Sequence, residues 1–188
     1  FDAALGRLAG LGAEIRHLDD EFVQPPGMIN EAAYSEVAVV HGTWFTSRAD
    51  EYSPEVADRH GPAMAVTVAA SVEAKQWRVD LREHTFDLLR ECDVLVTPAV
   101  AGNRKQIGSD TVVVDGTEMG YRRAFATFSA LVNHAGHPAL VVPIHEGGDP
   151  PPALQLIGPD WSEHRLLEVG MAMERVGLVR FRPPPALD

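Results

Sequence analysis

An α/β layered domain is the fold class this sequence predicts, and three observations predict it. Stretches with a helical period alternate along the chain with short apolar runs, as in helices layered on a sheet. Two of the helical stretches carry long apolar stripes, so each has a face to bury. No internal repeat and no linker divides the 188 residues, a length that suits a single domain with a sizeable core.

The elements follow in chain order. Asp2 to Leu11 reads as a short helix, with Leu5 and Leu8 on one face and Gly12 as its stop. Ala13 to Leu18 reads as a strand. Pro25-Pro26-Gly27 marks an irregular loop before a long helix from Met28 to Phe45. Its predicted stripe is Ile29, Ala33, Val37, Val40 and Trp44, at intervals of four, four, three and four. Pro54 suits the first turn of the next helix. The longest helix is predicted from Pro62 to about Glu91, with the stripe Val66, Ala70, Ala74, Trp77, Leu81, Thr85 and Leu88. At ~1.5 Å per residue it would cross a whole domain, roughly 40 Å.

Cys92 to Pro98 reads as a short, buried strand that proline ends. Ala99 to Glu118 is rich in Gly, Asn, Asp and Ser and reads as a surface loop with a small strand at Thr111 to Val114. Glu118 to Val132 is helical again. Two strands follow, Ala139 to Ile144 and Ala153 to Ile157, and the short connection His145 to Pro152 makes them an antiparallel pair. Asp160 and Glu163 have the spacing of a capping box, opening a last helix that runs to Gly177. The tail from Val179, with Pro183-Pro184-Pro185, is expected to be loosely held, above all over 182–188. Four or five strands against so much helix look like part of a larger sheet.

Composition narrows the functional classes. Sixteen basic against 27 acidic residues give a formal charge of −11, which disfavours nucleic acid and anionic membranes as partners. No apolar run approaches the ~20 residues that span a bilayer. The single cysteine, Cys92, cannot close an internal disulfide, so a reducing compartment, most simply the cytoplasm, is expected. Phe1 begins no signal peptide, and the lack of an initiator Met suggests a chain cut from something longer.

Several residues invite chemistry. His134, His137 and His145 lie close in sequence, but zinc needs three or four convergent ligands, and no regular face aligns these. They read as loop histidines with separate partners. Cys92, at the junction of a long helix and a buried strand, reads as a small core residue more than as a nucleophile. Glu146-Gly147-Gly148-Asp149 carries carboxylates that would repel phosphate, so it is no phosphate loop. Trp77, on the long stripe, reads as core. Asn133 falls at a predicted helix end facing the end of a sheet, where clefts form in α/β folds. It either lines such a cleft or caps the helix, while Gly136 can take positive φ and Pro138 stiffens the way into the strand. No metal or cofactor is expected.

The segments Ala4-Leu5-Gly6 through Gly12-Ala13-Glu14-Ile15, Glu31 to Glu36, and Cys92 to Pro98 come first in a recognisable series. Phe128 to Pro143 follows, with Asn133, Gly136 and Pro138 in an Asn-x-x-Gly-x-Pro arrangement. Leu154-Gln155-Leu156-Ile157-Gly158 comes next, then a helix with Glu163, Leu166-Leu167 and Glu174. In this order they resemble the amidase-signature family over nearly the whole chain. The resemblance implies a mixed β-sheet flanked by helices, of which residues 1–188 form the C-terminal portion as a single domain.

The chemistry the resemblance implies is amide hydrolysis by a serine, with a second serine on a cis peptide and a lysine as proton relay. Those groups belong to the N-terminal half of the family's chain. A serine hydroxyl is a poor nucleophile until a base takes its proton, and lysine serves only with a lowered pKa. Here the two lysines are Lys75 and Lys105, and no two of the seven serines are adjacent. The chain is therefore expected to hold no catalytic residue. Its expected contribution is one wall of the pocket for a small-molecule amide, from Met28 in the stretch Gln24 to Asn30, from Thr97 and Pro98, and from Asn133 and Gly136. A stand-alone binding remnant, forming a homodimer through an exposed apolar face, is the expectation from a different class.

Overall fold

In a computed structural model the described residues are 1–18, 28–102, 105–144 and 152–179. Six helices and five strands lie among them: α1 Asp2–Gly10, α2 Met28–Arg48, α3 Pro54–His60, α4 Val68–Arg90, β1 Leu95–Pro98, β2 Thr111–Val114, β3 Thr117–Gly120, α5 Tyr121–Ala135, β4 Ala139–Pro143, β5 Ala153–Ile157 and α6 Glu163–Arg175. The stretch 24–27 ahead of α2, His145 and the tail from 180 onward lie outside the described residues.

The larger sheet has the order β1-β5-β4, antiparallel throughout, with Leu95 and Ala139 both registered on Ile157. β5 is thus the middle strand, and its sequence Ala-Leu-Gln-Leu-Ile is buried over its last four residues. α6 covers one face through Leu166 and Met173, which pack with Leu154, Leu156 and Val142. A Cβ at Gly170 would stand 2.9 Å from a Leu140 methyl, so glycine there lets α6 lie close on β4. A second cluster, Leu81, Leu131 and Ala135 with Trp77 and Ile29, joins α4, α5 and α2.

The α4 stripe holds: Ala74 and Leu81 are buried, and Ala70, Trp77, Thr85 and Leu88 half-buried. Its start does not. Pro62–Ala65 is a separate 3-10 turn, Val66 is extended, and Thr67 caps α4 by accepting a hydrogen bond from the Ala70 N–H at 3.1 Å. The helix is therefore about 35 Å long. The α2 stripe fails in its second half, where Val40 and Trp44 are 69% and 62% exposed. That half turns His41 and Phe45 inward instead, into an aromatic group with Tyr52 and His60.

Three boundaries moved for identifiable reasons. Ala13 to Leu18 forms no strand, because no neighbouring strand among the described residues pairs with it. The stretch read as loop with one strand is a β2–β3 hairpin closed by Asp115 (φ 47°) and Gly116 (φ 78°), the two-residue turn that Asp-Gly favours. α5 accordingly starts at Tyr121 and runs one turn beyond Val132, to Ala135. Among the described residues no helix is long and apolar enough to cross a membrane.

Candidate functional site

A cavity of about 370 Å³ opens between β1, the stretch 14–18, and the inward faces of α4 and α5. Leucines 81, 88 and 131 and Phe128 make its helical wall apolar. Thr97 and Pro98 lie in its other wall. Gln155, buried on the neighbouring strand, donates from Nε2 to Thr97 Oγ1 at 3.1 Å, and Thr97 Oγ1 donates to the Pro98 carbonyl at 3.0 Å. The hydroxyl is held in place by its own strand and the next.

The last turn of α5 and the segment after it reach the cavity through Val132, Ala135 and His137. Asn133 is exposed and sits within the last turn of α5. Gly136 does the capping: its φ of 76° is left-handed and its N–H donates to Val132 O at 2.8 Å. The expectation that Asn133 ends or caps the helix is thereby corrected. Met28 opens α2.

A polar cluster that the sequence reading missed ties this region together. The His137 side chain is fully buried, and its Nδ1–H donates to Asp160 Oδ1 at 2.9 Å. The other Asp160 oxygen takes the Arg82 guanidinium, which also donates to the Ala135 carbonyl at 2.7 Å. Since a carboxylate only accepts, the proton is on Nδ1, and Nε2, also buried, meets no partner among the described residues. Asp160 is thus taken up by Arg82 and His137 and is no capping box; Ser162 precedes α6 without a side-chain cap. The signal was available only in three dimensions, because the cluster draws on α4, the Gly-His-Pro turn and the turn after β5.

His134 has a partner of its own. His134 stands edge-on to Trp77, ring centroids 5.4 Å apart, and burial followed by the nearby Arg78 charge pushes its pKa down. Cys92 is half-buried in the cavity wall, its Sγ–H directed to Leu88 O at 3.4 Å. Burial raises its pKa against the smaller opposing effect of Arg16. A raised pKa means less thiolate at a given pH. At pH 8 Cys92 is therefore expected to react with iodoacetamide several-fold more slowly in the folded protein than in urea. Equal rates in both states would show that the thiol is neither shielded nor shifted.

Five of the seven serine hydroxyls, those of Ser35, Ser47, Ser109, Ser129 and Ser162, donate to main-chain carbonyls within four residues. Lys75 is exposed on α4, and Lys105 lies 4.0 Å from the centroid of the Tyr121 ring. Among the described residues these contacts pair none of the five hydroxyls with a base.

A family model described as Amidase matches residues 13–167. The 1-carboxybiuret hydrolase subunit AtzE of Pseudomonas sp. (strain ADP) is 27% identical over 150 residues, 79% of this chain and 33% of that protein. The putative amidase AmiD of Mycobacterium tuberculosis (strain H37Rv) is 25% identical over 151 residues, 79% of this chain and 31% of its own length. Among solved structures, a vestigial protein complex bearing on the origins of an s-triazine catabolic enzyme superposes with a TM-score of 0.82 at 27% identity. There the match covers 97% of this chain and 40% of the other. An amidase crystal structure gives a TM-score of 0.83 over 93% of this chain and 41% of its own, at 24% identity, a likeness of fold. This chain thus spans about a third of the length of the curated relatives it matches.

Proposed function

This chain belongs to the amidase family, and from that premise we propose that it is the C-terminal portion of an enzyme hydrolysing carbon–nitrogen bonds of amides. The supporting observation is one of proportion. The chain carries the fold of its relatives over 97% of its own length while covering 40% of theirs. On this reading a serine nucleophile, a second serine and a relaying lysine belong to the remaining polypeptide. A glycine-rich turn there supplies the N–H groups that stabilise the oxyanion.

This portion completes the sheet and walls the substrate pocket, with Thr97 and Pro98 in the cleft. Asn133, Gly136 and Met28 are proposed to approach substrate from the rim once the two parts are joined. The substrate is a small amide, no cofactor is needed, and the compartment is cytoplasmic.

The pure 188-residue protein is expected to show no turnover of simple aliphatic or aryl amides above the uncatalysed rate. Measured hydrolysis that disappears on replacing one of its serines would sink this reading. A second reading, a non-catalytic remnant that associates through an apolar face, is favoured by one observation. Val39, Val40 and Trp44 crowd the outer side of α2 at 86%, 69% and 62% exposure. A protein that stays monomeric at high concentration on a sizing column would remove its support.

A further inference from the structure

We propose that Tyr121 is a nucleophilic site on the surface of this chain, taking an acyl group on its phenolic oxygen from a small activated acyl donor. The inference stands apart from amide hydrolysis, since it concerns the chain's own modification. Two cations set this phenol apart. The Arg122 Nε–H donates to Tyr121 Oη at 3.0 Å, in an exposed contact. Lys105, from the stretch ahead of β2, holds its ammonium 4.0 Å from the ring centroid, and the Arg122 guanidinium carbon lies 5.5 Å from the same point.

The main chain holds these parts together. Tyr121 is the first residue of α5, and its N–H donates to Asp110 O at 3.0 Å. That bond ties the stretch carrying Lys105 to the start of the helix. The ring stands edge-on to Phe125, one turn further along, with centroids 6.0 Å apart. The ring thus has a fixed seat, while its oxygen faces solvent.

The charges decide the chemistry. A cation at a phenolic oxygen or over the ring favours phenolate over phenol. The Tyr121 pKa is pushed down, first by the Arg122 hydrogen bond; burial opposes this, the Arg122 and Lys105 charges add to it, and Asp110 opposes. Glu55 on α3 favours the Arg122 charge. More phenolate at a given pH makes a faster nucleophile, because the gain in ionised fraction outweighs the loss of intrinsic strength, as it does for thiolates. The other two tyrosines are placed differently. Tyr52 Oη meets His41 Nδ1 at 3.0 Å, with its ring packed among Phe45 and His60, and Tyr34 is half-buried on α2. Among the described residues, Tyr121 is the one tyrosine with cations over its ring.

In the reaction Oη bonds to the donor's carbonyl carbon, the bond from that carbon to the leaving group breaks, and the phenolic proton goes to the leaving group. The probe is N-acetylimidazole, which leaves as imidazole, given in less than one equivalent to the 188-residue protein at neutral pH. Peptide mass spectrometry is expected to find Tyr121 acetylated about fivefold or more faster than Tyr34 or Tyr52, as an ester that hydroxylamine removes. Arg122→Gln is expected to slow Tyr121 about threefold and to leave the other two rates unchanged. Equal rates at all three tyrosines, or an unchanged Tyr121 rate when Arg122→Gln and Lys105→Gln are combined, overturns the proposal. Access alone also favours an exposed phenol, so phenolate absorbance supplies a second measure. On titration with base, Tyr121→Phe is expected to remove the first phenol to ionise. Removal of a later one overturns the proposal, however fast Tyr121 reacts.

Discussion

Replacing Leu156 with alanine is expected to destabilise the protein by about 3 kcal/mol, enough to lower the urea midpoint by more than 1 M. Leu156 is 1% exposed on the middle strand, registered with Val96 on one side and Leu140 on the other. Its side chain packs in the cluster that holds Leu154, Leu166 and Met173, so its removal leaves a void walled by both the sheet and α6. Relaxation cannot fill that void cheaply, because the neighbours are fixed by strand register and by the close approach at Gly170. The contrasting substitution is Val141→Ala on β4, where the residue is 54% exposed and a cost under about 0.5 kcal/mol is expected. Equal costs at the two positions in urea unfolding would show that β5 is not the centre of the core.

Replacing His137 with alanine is expected to cost about 2–4 kcal/mol, combining a buried ring with the hydrogen bond it donates. The cost should depend on Asp160. With His137 present, Asp160→Ala removes the acceptor for both the imidazole and the Arg82 guanidinium. With His137 already replaced, only the half-exposed Arg82 contact remains to be lost. A double-mutant cycle in urea is therefore expected to give a coupling of about 1 kcal/mol between the two positions. A coupling near zero would mean that the pair is adjacent without being energetically linked.

Periodic features were legible in the sequence. The α4 stripe could be read because a helix buried along one side must repeat its apolar residues every three to four positions, and Ala74, Leu81 and Leu88 do. The β4–β5 pair was equally plain, since two short apolar runs with a short connection have little choice but to pair antiparallel. The resemblance to amidases was carried by segments whose order a family model also matches.

What the sequence hid were competitions between partners. Asp160 has the spacing of a helix cap, but a guanidinium and an imidazole from distant segments outbid a main-chain N–H for its oxygens. Asn133 can cap a helix, yet three residues later Gly136 takes the left-handed conformation at no steric cost, and the helix runs on to it. Val40 and Trp44 lie on a correct helical stripe with nothing among the described residues against its far end, because periodicity states which face is apolar and not whether it is covered. Asp115-Gly116 was a readable hairpin turn, and the polar run around it masked the second strand.

The place of β5 between β1 and β4 also bears on the order in which the molecule assembles. β4 and β5 are joined by a short connection and can meet within microseconds of both being free to move. β1 must wait for a strand about 60 residues further along, from Leu95 to Ile157. Closing that longer loop costs more entropy and comes later. On a ribosome, β1 emerges before β5 and meets it only once β5 is made. A chain that stops anywhere before Ala153 holds both edges of the larger sheet and nothing to put between them.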